Sequence, residues 1–221
     1  SPEFLHPIMR KWGAHAVAVE YPGYGVYKDK DIDVKDDLFL RDAEAVYDFF
    51  CKELAVHPSQ VIIFGRSIGS GPATLLASRR PHGALFLFSP MKSLKDSVNS
   101  KSFSMGGWCY SAFDNEKLIK SITTPTFIIH GKRDEVIHFS KSLDLYNASG
   151  AAPDLKTVHL PNDMTHNNFD LETDFLPASL DFLNRVAQHP IPQQFPPIDP
   201  QRVLNIFAHR QWHHPQHNNQ E

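Results

Sequence analysis

A chain of 221 residues, of which 41% are hydrophobic, is long enough to bury one core and too short for two full domains of ordinary size. Its 22 basic and 25 acidic residues give a formal net charge of -3 with no long run of one sign, so nucleic acid and anionic membrane surfaces are not predicted as electrostatic partners. Two cysteines are too few for a disulfide framework, and no apolar run approaches the roughly 18 residues of a membrane span, so we predict a protein of a reducing, cytoplasmic compartment.

Short β-branched or aromatic runs alternate along the chain with longer segments that favour helices. The predicted strands cover residues 14–20, 61–64, 84–88, 126–130 and 155–160. The predicted helices cover residues 34–54, 69–78, 140–147 and 175–186. This repetition of strand, loop and helix predicts an α/β fold, in which a mostly parallel sheet carries helices on both faces.

Two segments fall outside this alternation. Residues 90–112 separate two predicted strands without clear periodicity, which indicates a short insertion over the sheet edge that acts as a small cap or lid. Residues 189–221 are rich in Pro, His and Gln and are predicted to form a tail outside the domain of residues 1–188. The tail histidines lack cysteine or acidic partners in a fixed frame, so a polar tail is a better interpretation than a metal site; they are His209, His213, His214 and His217.

The motif Gly-x-Ser-x-Gly at residues 65–69 is the strongest functional signal in the chain. It follows directly on the apolar run 61–64 and precedes a predicted helix, and in this setting the glycines let the backbone turn sharply and lift the serine above the sheet edge. Ser67 is therefore the predicted nucleophile. Because it stands at the start of a helix, the backbone N–H of Ile68 is predicted to donate to a negatively charged oxygen in an oxyanion hole.

A serine nucleophile needs a base, and the base needs an acid to orient it, so the rest of the sequence tests the motif. Asp134 lies in the loop after the predicted strand 126–130, and His166 lies in the polar loop after the strand 155–160. Loops at the carboxyl ends of parallel strands converge on one site. The order serine, acid, histidine therefore predicts a triad of Ser67, Asp134 and His166.

Other polar residues in the same loops are competitors for these roles. Glu135 adjoins Asp134 but is expected to point away from it in an extended loop, and Asp163 lies on the histidine's own loop. His130 precedes the acid at a strand end, where it is predicted to shape the loop by hydrogen bonding rather than to act as the base. The tail histidines follow the last predicted helix and are poor candidates.

These residues resemble the α/β-hydrolase superfamily over residues 12–186, and within it the alpha/beta-hydrolase-domain protein depalmitoylases. The motifs that carry the resemblance are Tyr21-Pro22-Gly23-Tyr24-Gly25, residues 64–73, Ser89-Pro90, and His130-Gly131 followed by Asp134-Glu135-Val136-Ile137. The resemblance implies acyl transfer to water, in which Ser67 attacks a carbonyl carbon, His166 shuttles the proton and Asp134 holds His166 in the required tautomer. It implies no metal and no organic cofactor.

The substrate is less well defined than the reaction. In depalmitoylases it is a fatty acyl thioester on a protein cysteine, so the resemblance implies a lipidated protein as partner, whereas neighbouring families of lipases and peptidases cleave acylglycerols, lysophospholipids or peptides. A non-catalytic protein that binds through the cleft and the tail is the alternative from another class. Met105, Trp108 and Phe113 are candidates for an acyl pocket, with core packing as the equal alternative for each.

The chain departs from the superfamily pattern at its N-terminal end. We expect the first strands of the sheet to be missing from it, together with the loop that donates the second N–H of the oxyanion hole. The Cys-rich segment by which depalmitoylases attach to membranes is not found in these residues either. A membrane association of this cytoplasmic protein is therefore expected only through a segment ahead of them.

Overall fold

The computed structural model of the chain describes residues 2–20, 36–93 and 113–187. The strands are β1 (Ile62–Arg66), β2 (Ala84–Phe88), β3 (Thr126–Ile129) and β4 (Lys156–His159). The helices are α1 (Pro2–Trp12), α2 (Asp36–Asp48), α3 (Ser70–Ala77), α4 (Asn115–Ile119), α5 (Ser140–Ala148) and α6 (Leu176–Val186). Short turns of π-helix occupy Phe49–Glu53 and Leu171–Phe175, and turns of 3-10 helix occupy Pro58–Gln60, Ser67–Gly69 and Pro153–Leu155.

The four strands form one parallel sheet in the order β1-β2-β3-β4. Gly65 pairs with Leu87, which pairs with Ile128, which in turn pairs with Val158. Both central strands, β2 and β3, are buried along their whole length, as expected where helices cover both faces of a parallel sheet. Because the strands are parallel, the loops that follow them emerge at one edge of the sheet.

The two faces of the sheet are packed with different side chains. Successive residues of a strand point to opposite faces, so Phe86 and Phe88 of β2 join one apolar cluster while Leu85 and Leu87 join another. The first cluster is aromatic and includes Trp12 of α1 and Phe182 of α6. The second is aliphatic and includes, from α3, β3 and α5, Ala73, Ala77, Ile128 and Leu145. The predicted parallel sheet with helices on both faces is confirmed.

The strand predicted at residues 14–20 is wrong. These residues lie outside the sheet, with Val17 54% and Val19 37% exposed. Their alternation is carried by three alanines and two valines, and alanine side chains offer little apolar area to hold a strand against a core. The pattern has strand periodicity without the buried face that would stabilise a strand.

Two helices, α1 and α4, were not predicted. Helix α1 packs on the aromatic face, and the indole N–H of Trp12 donates to Ser179 Oγ of α6 at 3.1 Å. The strand predicted at 84–88 is confirmed with the same ends, and the other predicted strands and helices are confirmed with shifted ends. The helix predicted at 34–54 changes to a π-helical turn after Asp48, and that at 175–186 begins as an α-helix at Leu176. The motif at residues 21–25, most of the predicted insertion and the tail lie outside the described residues.

A cleft of about 1320 Å³ runs beside the outer edge of β1. Its walls include Val17 and Val19 of the extended segment, Tyr47 of α2, and Ile62 and Phe64 of β1. In the described parts of the chain, no helix is both long and apolar enough to cross a lipid bilayer.

Candidate functional site

The turn after β1 places Ser67 at the carboxyl edge of the sheet. Ser67 has a φ of 52°, in the left-handed region that is strained for a non-glycine residue. A Cβ atom on Gly65 would lie 2.6 Å from Ala73 Cβ and 2.7 Å from the Gly69 carbonyl oxygen, so β1 and α3 approach this closely only because Gly65 has no side chain. The sharp strand-to-helix turn predicted from the motif is therefore present.

A small polar network behind the turn holds the strained serine in place. Ser70 Oγ donates to the Ser67 carbonyl oxygen at 2.6 Å and accepts from the Met91 N–H at 3.2 Å. Asn115 Nδ2 donates to Ser70 Oγ at 3.2 Å and to the Met91 carbonyl oxygen at 2.9 Å. Ser70 and Asn115 are fully buried, so these bonds are shielded from water. The sequence pattern gave no signal for this network, since Asn115 is remote from the motif.

The loop after β3 buries the carboxylate of Asp134. Its Oδ1 atom accepts from the backbone N–H groups of Val136 at 2.9 Å and Ile137 at 2.7 Å. Gly131 lets this loop approach the loop after β4, because a Cβ there would lie 2.0 Å from the Met164 carbonyl oxygen. The backbone bond from Arg133 N–H to the Met164 carbonyl oxygen, at 3.1 Å, then joins the two loops.

His166, on the loop after β4, lies between the serine and the carboxylate. Its Nδ1 atom is 2.7 Å from Asp134 Oδ2, and its Nε2 atom is 2.9 Å from Ser67 Oγ. A carboxylate accepts and does not donate, so Nδ1 carries the hydrogen and Nε2 is left to accept the proton of the Ser67 hydroxyl. The structure thus brings the three predicted site residues together in one line of hydrogen bonds.

The charge of Asp134 is stabilised in this setting. Burial acts to raise the pKa of its carboxyl group, but hydrogen bonds from His130, His166 and the Ile137 N–H outweigh that effect and hold the pKa well below its usual range. Asp134 is therefore a carboxylate at neutral pH, able to orient His166 and to stabilise the imidazolium that forms when His166 takes a proton.

The competing acids lie elsewhere. Glu135 is exposed, and Asp163 forms a surface ion pair with Arg133 Nη1 at 3.2 Å with its side chain 82% exposed. His130 is fully buried beside Asp134, with its Nε2 atom 3.1 Å from Asp134 Oδ2, as expected of a residue that shapes the loop. Ile68 lies in the 3-10 turn that begins at Ser67, and its role as an oxyanion donor stays a prediction. Phe113 packs in a buried cluster with Met91, so core packing is its structural role.

Arg66, the last residue of β1, is a member of the site that the sequence did not reveal. Its Nη2 atom donates to the His166 carbonyl oxygen at 2.8 Å and to Asn167 Oδ1 at 3.2 Å. The guanidinium carbon lies 5.3 Å from the ring centre of Phe169 and 5.9 Å from that of Phe88. Burial lowers the pKa of Arg66, and the charge of Asp134 opposes that shift. Arg66 thus ties the serine's turn to the histidine's loop.

Similar proteins were found by sequence, although no model of a known protein family matches the chain. Alpha/beta hydrolase domain-containing protein 17C of Xenopus tropicalis is 31% identical over 166 residues, which are 75% of this chain and 51% of that protein. Alpha/beta hydrolase domain-containing protein aho-3 of Caenorhabditis elegans is 27% identical over 83% of this chain and 53% of that protein. This chain belongs to the α/β-hydrolase superfamily. It spans about half the length of the curated relatives it matches.

Solved structures share the α/β-hydrolase fold of the chain. The lipase/esterase from Lactobacillus plantarum superimposes with a TM-score of 0.63 at 16% identity, covering 83% of this chain and 79% of that one. The monoacylglycerol lipase of Paleococcus ferrophilus superimposes with a TM-score of 0.62 at 17% identity, covering 84% and 89%. Est1E from Butyrivibrio proteoclasticus, solved with ferulic acid bound, gives 0.61 at 20% identity over 76% of each chain. The predicted fold class is confirmed.

Proposed function

We propose that this α/β-hydrolase chain is a serine hydrolase that transfers an acyl group from an ester or thioester to water. The observation that carries the proposal is the line of hydrogen bonds from Ser67 Oγ through His166 to Asp134, at 2.9 and 2.7 Å. Serine is a weak nucleophile unless a base takes its proton as it attacks, and this arrangement supplies such a base.

In the first half of the reaction, Ser67 Oγ attacks the substrate carbonyl carbon while its proton moves to His166 Nε2. The carbonyl oxygen becomes an oxyanion, to which we assign the Ile68 N–H as one donor. When the C=O bond re-forms, the bond to the alcohol or thiol breaks, and His166 returns the proton to the departing oxygen or sulfur. The product of this half-reaction is an acyl ester on Ser67.

In the second half, water replaces the departed alcohol or thiol. His166 Nε2 takes a proton from the water as its oxygen attacks the acyl carbon, and the proton is then given to Ser67 Oγ when the acyl ester breaks. Asp134 stays charged throughout and stabilises the imidazolium that forms twice in the cycle. The carboxylic acid leaves and the free serine is restored, so atoms and charges balance without a cofactor in this scheme.

For the substrate, we propose a fatty acyl thioester on a protein cysteine. The support is the resemblance to the depalmitoylase group in the motifs around Ser67 and Asp134. The solved structures that share the fold include a lipase/esterase, a monoacylglycerol lipase and Est1E with ferulic acid bound, and the first two names support acyl esters as the wider class. A thioester has a better leaving group than an oxygen ester, and both follow the same two half-reactions.

The experiment that tests the reaction class is labelling with a fluorophosphonate, which reacts with an activated serine. The chain should be labelled, Ser67→Ala should not, and Ser121→Ala should be labelled like the unmutated chain because Ser121 is an exposed residue just after α4. Peptide mass spectrometry should place the label on Ser67. A folded chain that stays unlabelled, or a label that survives in Ser67→Ala, would contradict the proposal.

The substrate is tested separately. We expect a palmitoylated-cysteine peptide to be hydrolysed with a higher kcat/KM than the corresponding palmitoyl ester of a serine peptide. 4-Nitrophenyl esters of increasing chain length measure the preference for the acyl group. A chain that hydrolyses only short oxygen esters would keep the reaction class and overturn the thioester assignment.

A further inference from the structure

His130 is fully buried and directly follows β3, at the start of the loop that carries Asp134. Its Nδ1 atom is 2.7 Å from Ser142 Oγ of α5. Its Nε2 atom is 2.8 Å from the Ile137 carbonyl oxygen and 3.1 Å from Asp134 Oδ2. Both nitrogens of a ring that is closed to solvent therefore have partners, and one of those partners is the carboxylate that orients His166.

The partners of Nε2 determine which nitrogen of His130 carries a hydrogen. A carbonyl oxygen and a carboxylate oxygen both accept hydrogen bonds and cannot donate them, so Nε2 must be protonated to bond to either. Ser142 can donate or accept through its hydroxyl and is compatible with either state of Nδ1. Nε2 therefore carries a hydrogen that is donated to the Ile137 carbonyl oxygen at 2.8 Å, and the charged Asp134 Oδ2 lies 3.1 Å from the same nitrogen as a second acceptor within reach.

His130 Nε2 completes the polar surroundings of the Asp134 carboxylate, and it also bonds to the carbonyl of Ile137, whose N–H donates to Oδ1. Oδ1 accepts from two backbone N–H groups, those of Val136 and Ile137, while Oδ2 accepts from His166 and lies 3.1 Å from His130 Nε2. Rotation of the carboxylate would break bonds at both oxygens at once. Of the two histidines, His166 is the closer to Oδ2, at 2.7 Å, so the oxygen is held within a short hydrogen bond of the base.

We propose that His130 is a positioning residue, which acts on the reaction by fixing the carboxylate of Asp134 against His166. The inference rests on the proposed serine hydrolase function. His130 does not touch Ser67 and transfers no proton in the cycle; it limits the orientations of Asp134, and through Asp134 those of the imidazole that must accept the serine's proton. Hydrogen-bond partners that orient metal-bound histidines and carboxylates change activity by about 10- to 100-fold when they are lost, and we expect the same scale for a residue that orients Asp134.

Two amide substitutions separate the bond to Asp134 from the bond to Ser142. In His130→Gln the amide nitrogen takes the place of Nε2 and can still donate to Asp134. In His130→Asn the amide lies at the place of Nδ1, next to Ser142, and the donor to Asp134 is lost. We expect His130→Asn to lower kcat by about 10- to 100-fold with KM unchanged, and His130→Gln to keep kcat within about threefold of the unmutated chain.

Ser142→Ala is the matched control on the other side of the ring. It removes the bond at Nδ1 and leaves the bond to Asp134, so kcat should stay close to that of the unmutated chain. Equal losses of kcat in the Gln and Asn variants, or a loss in Ser142→Ala as large as in His130→Asn, would overturn the proposal in favour of a role in packing alone. Thermal unfolding of each variant shows which losses follow from stability.

Nitrogen-15 NMR of the histidine rings tests the same inference without activity. We expect a hydrogen on Nε2 of His130, with a resonance that shifts in Asp134→Asn, where the charged acceptor is replaced, and that keeps its position in Asp163→Asn. A bare Nε2 would overturn the proposal whatever the kinetics show. If the chain is folded and the Nε2 resonance of His130 responds to Asp134→Asn but fluorophosphonate does not label Ser67, the serine hydrolase assignment fails while the contact with Asp134 stands, so the two failures are distinguishable.

Discussion

The carboxyl edge of the sheet and the outer side of β1 differ in how completely their side chains are held. At the carboxyl edge, Asp134 and His166 are buried at 7% and 6% exposure, and each has named hydrogen-bond partners. Beside β1, Val17 and Val19 are 54% and 37% exposed and line an open cleft. Buried polar groups without partners are costly, so a buried polar site keeps one arrangement, whereas exposed valines beside a cleft impose no single arrangement.

Asp134→Asn is expected to have the largest effect at the carboxyl edge of the sheet. The asparagine amide can present its NH2 group to His166, which favours the tautomer with a bare Nδ1 and a protonated Nε2 that cannot accept the serine's proton. We expect kcat to fall by about 10⁴-fold, the loss that this substitution causes in an established serine protease triad. Steady-state hydrolysis of a 4-nitrophenyl ester measures it.

Asp163→Asn is the control, because Asp163 pairs with Arg133 at the surface. It should leave kcat unchanged, since exposed ion pairs contribute at most about 1 kcal/mol and this one lies outside the line of hydrogen bonds. A loss below about tenfold in a folded Asp134→Asn chain would mean that the carboxylate does not govern the tautomer of His166.

Arg66→Met gives a smaller expected effect at the same edge. Methionine keeps apolar contact with Phe88 and Phe169 but loses the bond to the His166 carbonyl oxygen. A hydrogen bond from a charged group contributes about 1.5–3 kcal/mol, and if about half of that fixes the histidine's loop, kcat falls by about three- to tenfold. Stopped-flow acylation rates measure this effect directly.

Asn167→Ala is the matched control for Arg66, because it removes the second acceptor and leaves the first. Its kcat should stay within about twofold of the unmutated chain. If Asn167→Ala lost as much activity as Arg66→Met, the carbonyl bond would not be the contact that matters.

The two regions also differ in what could be predicted from the sequence. Ser67, Asp134 and His166 each follow a strand, and parallel strands bring such loops together whatever the details of packing, so their proximity was predictable. Their catalytic roles stay a prediction. Arg66 and Asn115 could not be found in this way, because their contacts join residues about 100 and 45 positions apart and follow no local pattern.

The strand predicted at 14–20 failed for a related reason. Alternation shows which side chains share a face, but whether that face is buried depends on what the rest of the fold places beside it. Helix α1 was missed because it is stabilised by packing of its apolar residues, such as Phe4, Ile8 and Trp12, against an aromatic cluster formed by distant parts of the chain. Local sequence patterns thus predicted the buried strands and the sharp turn at Ser67. They did not predict elements whose structure depends on contacts with distant parts of the chain.

Valine-to-alanine substitutions have the smallest expected effect. They measure how much Val17, in the exposed segment beside β1, contributes to the free energy of unfolding. Val158 of β4 packs against the aliphatic cluster, so Val158→Ala should lower the free energy of unfolding by about 1–2 kcal/mol. Val17→Ala removes the same two methyl groups from an exposed position and should change it by less than about 0.5 kcal/mol. Urea unfolding of both variants measures the difference. Equal losses would mean that Val17 is buried in solution, since only burial gives those methyl groups a stabilising role, and residues 14–20 would then be held as firmly as the sheet.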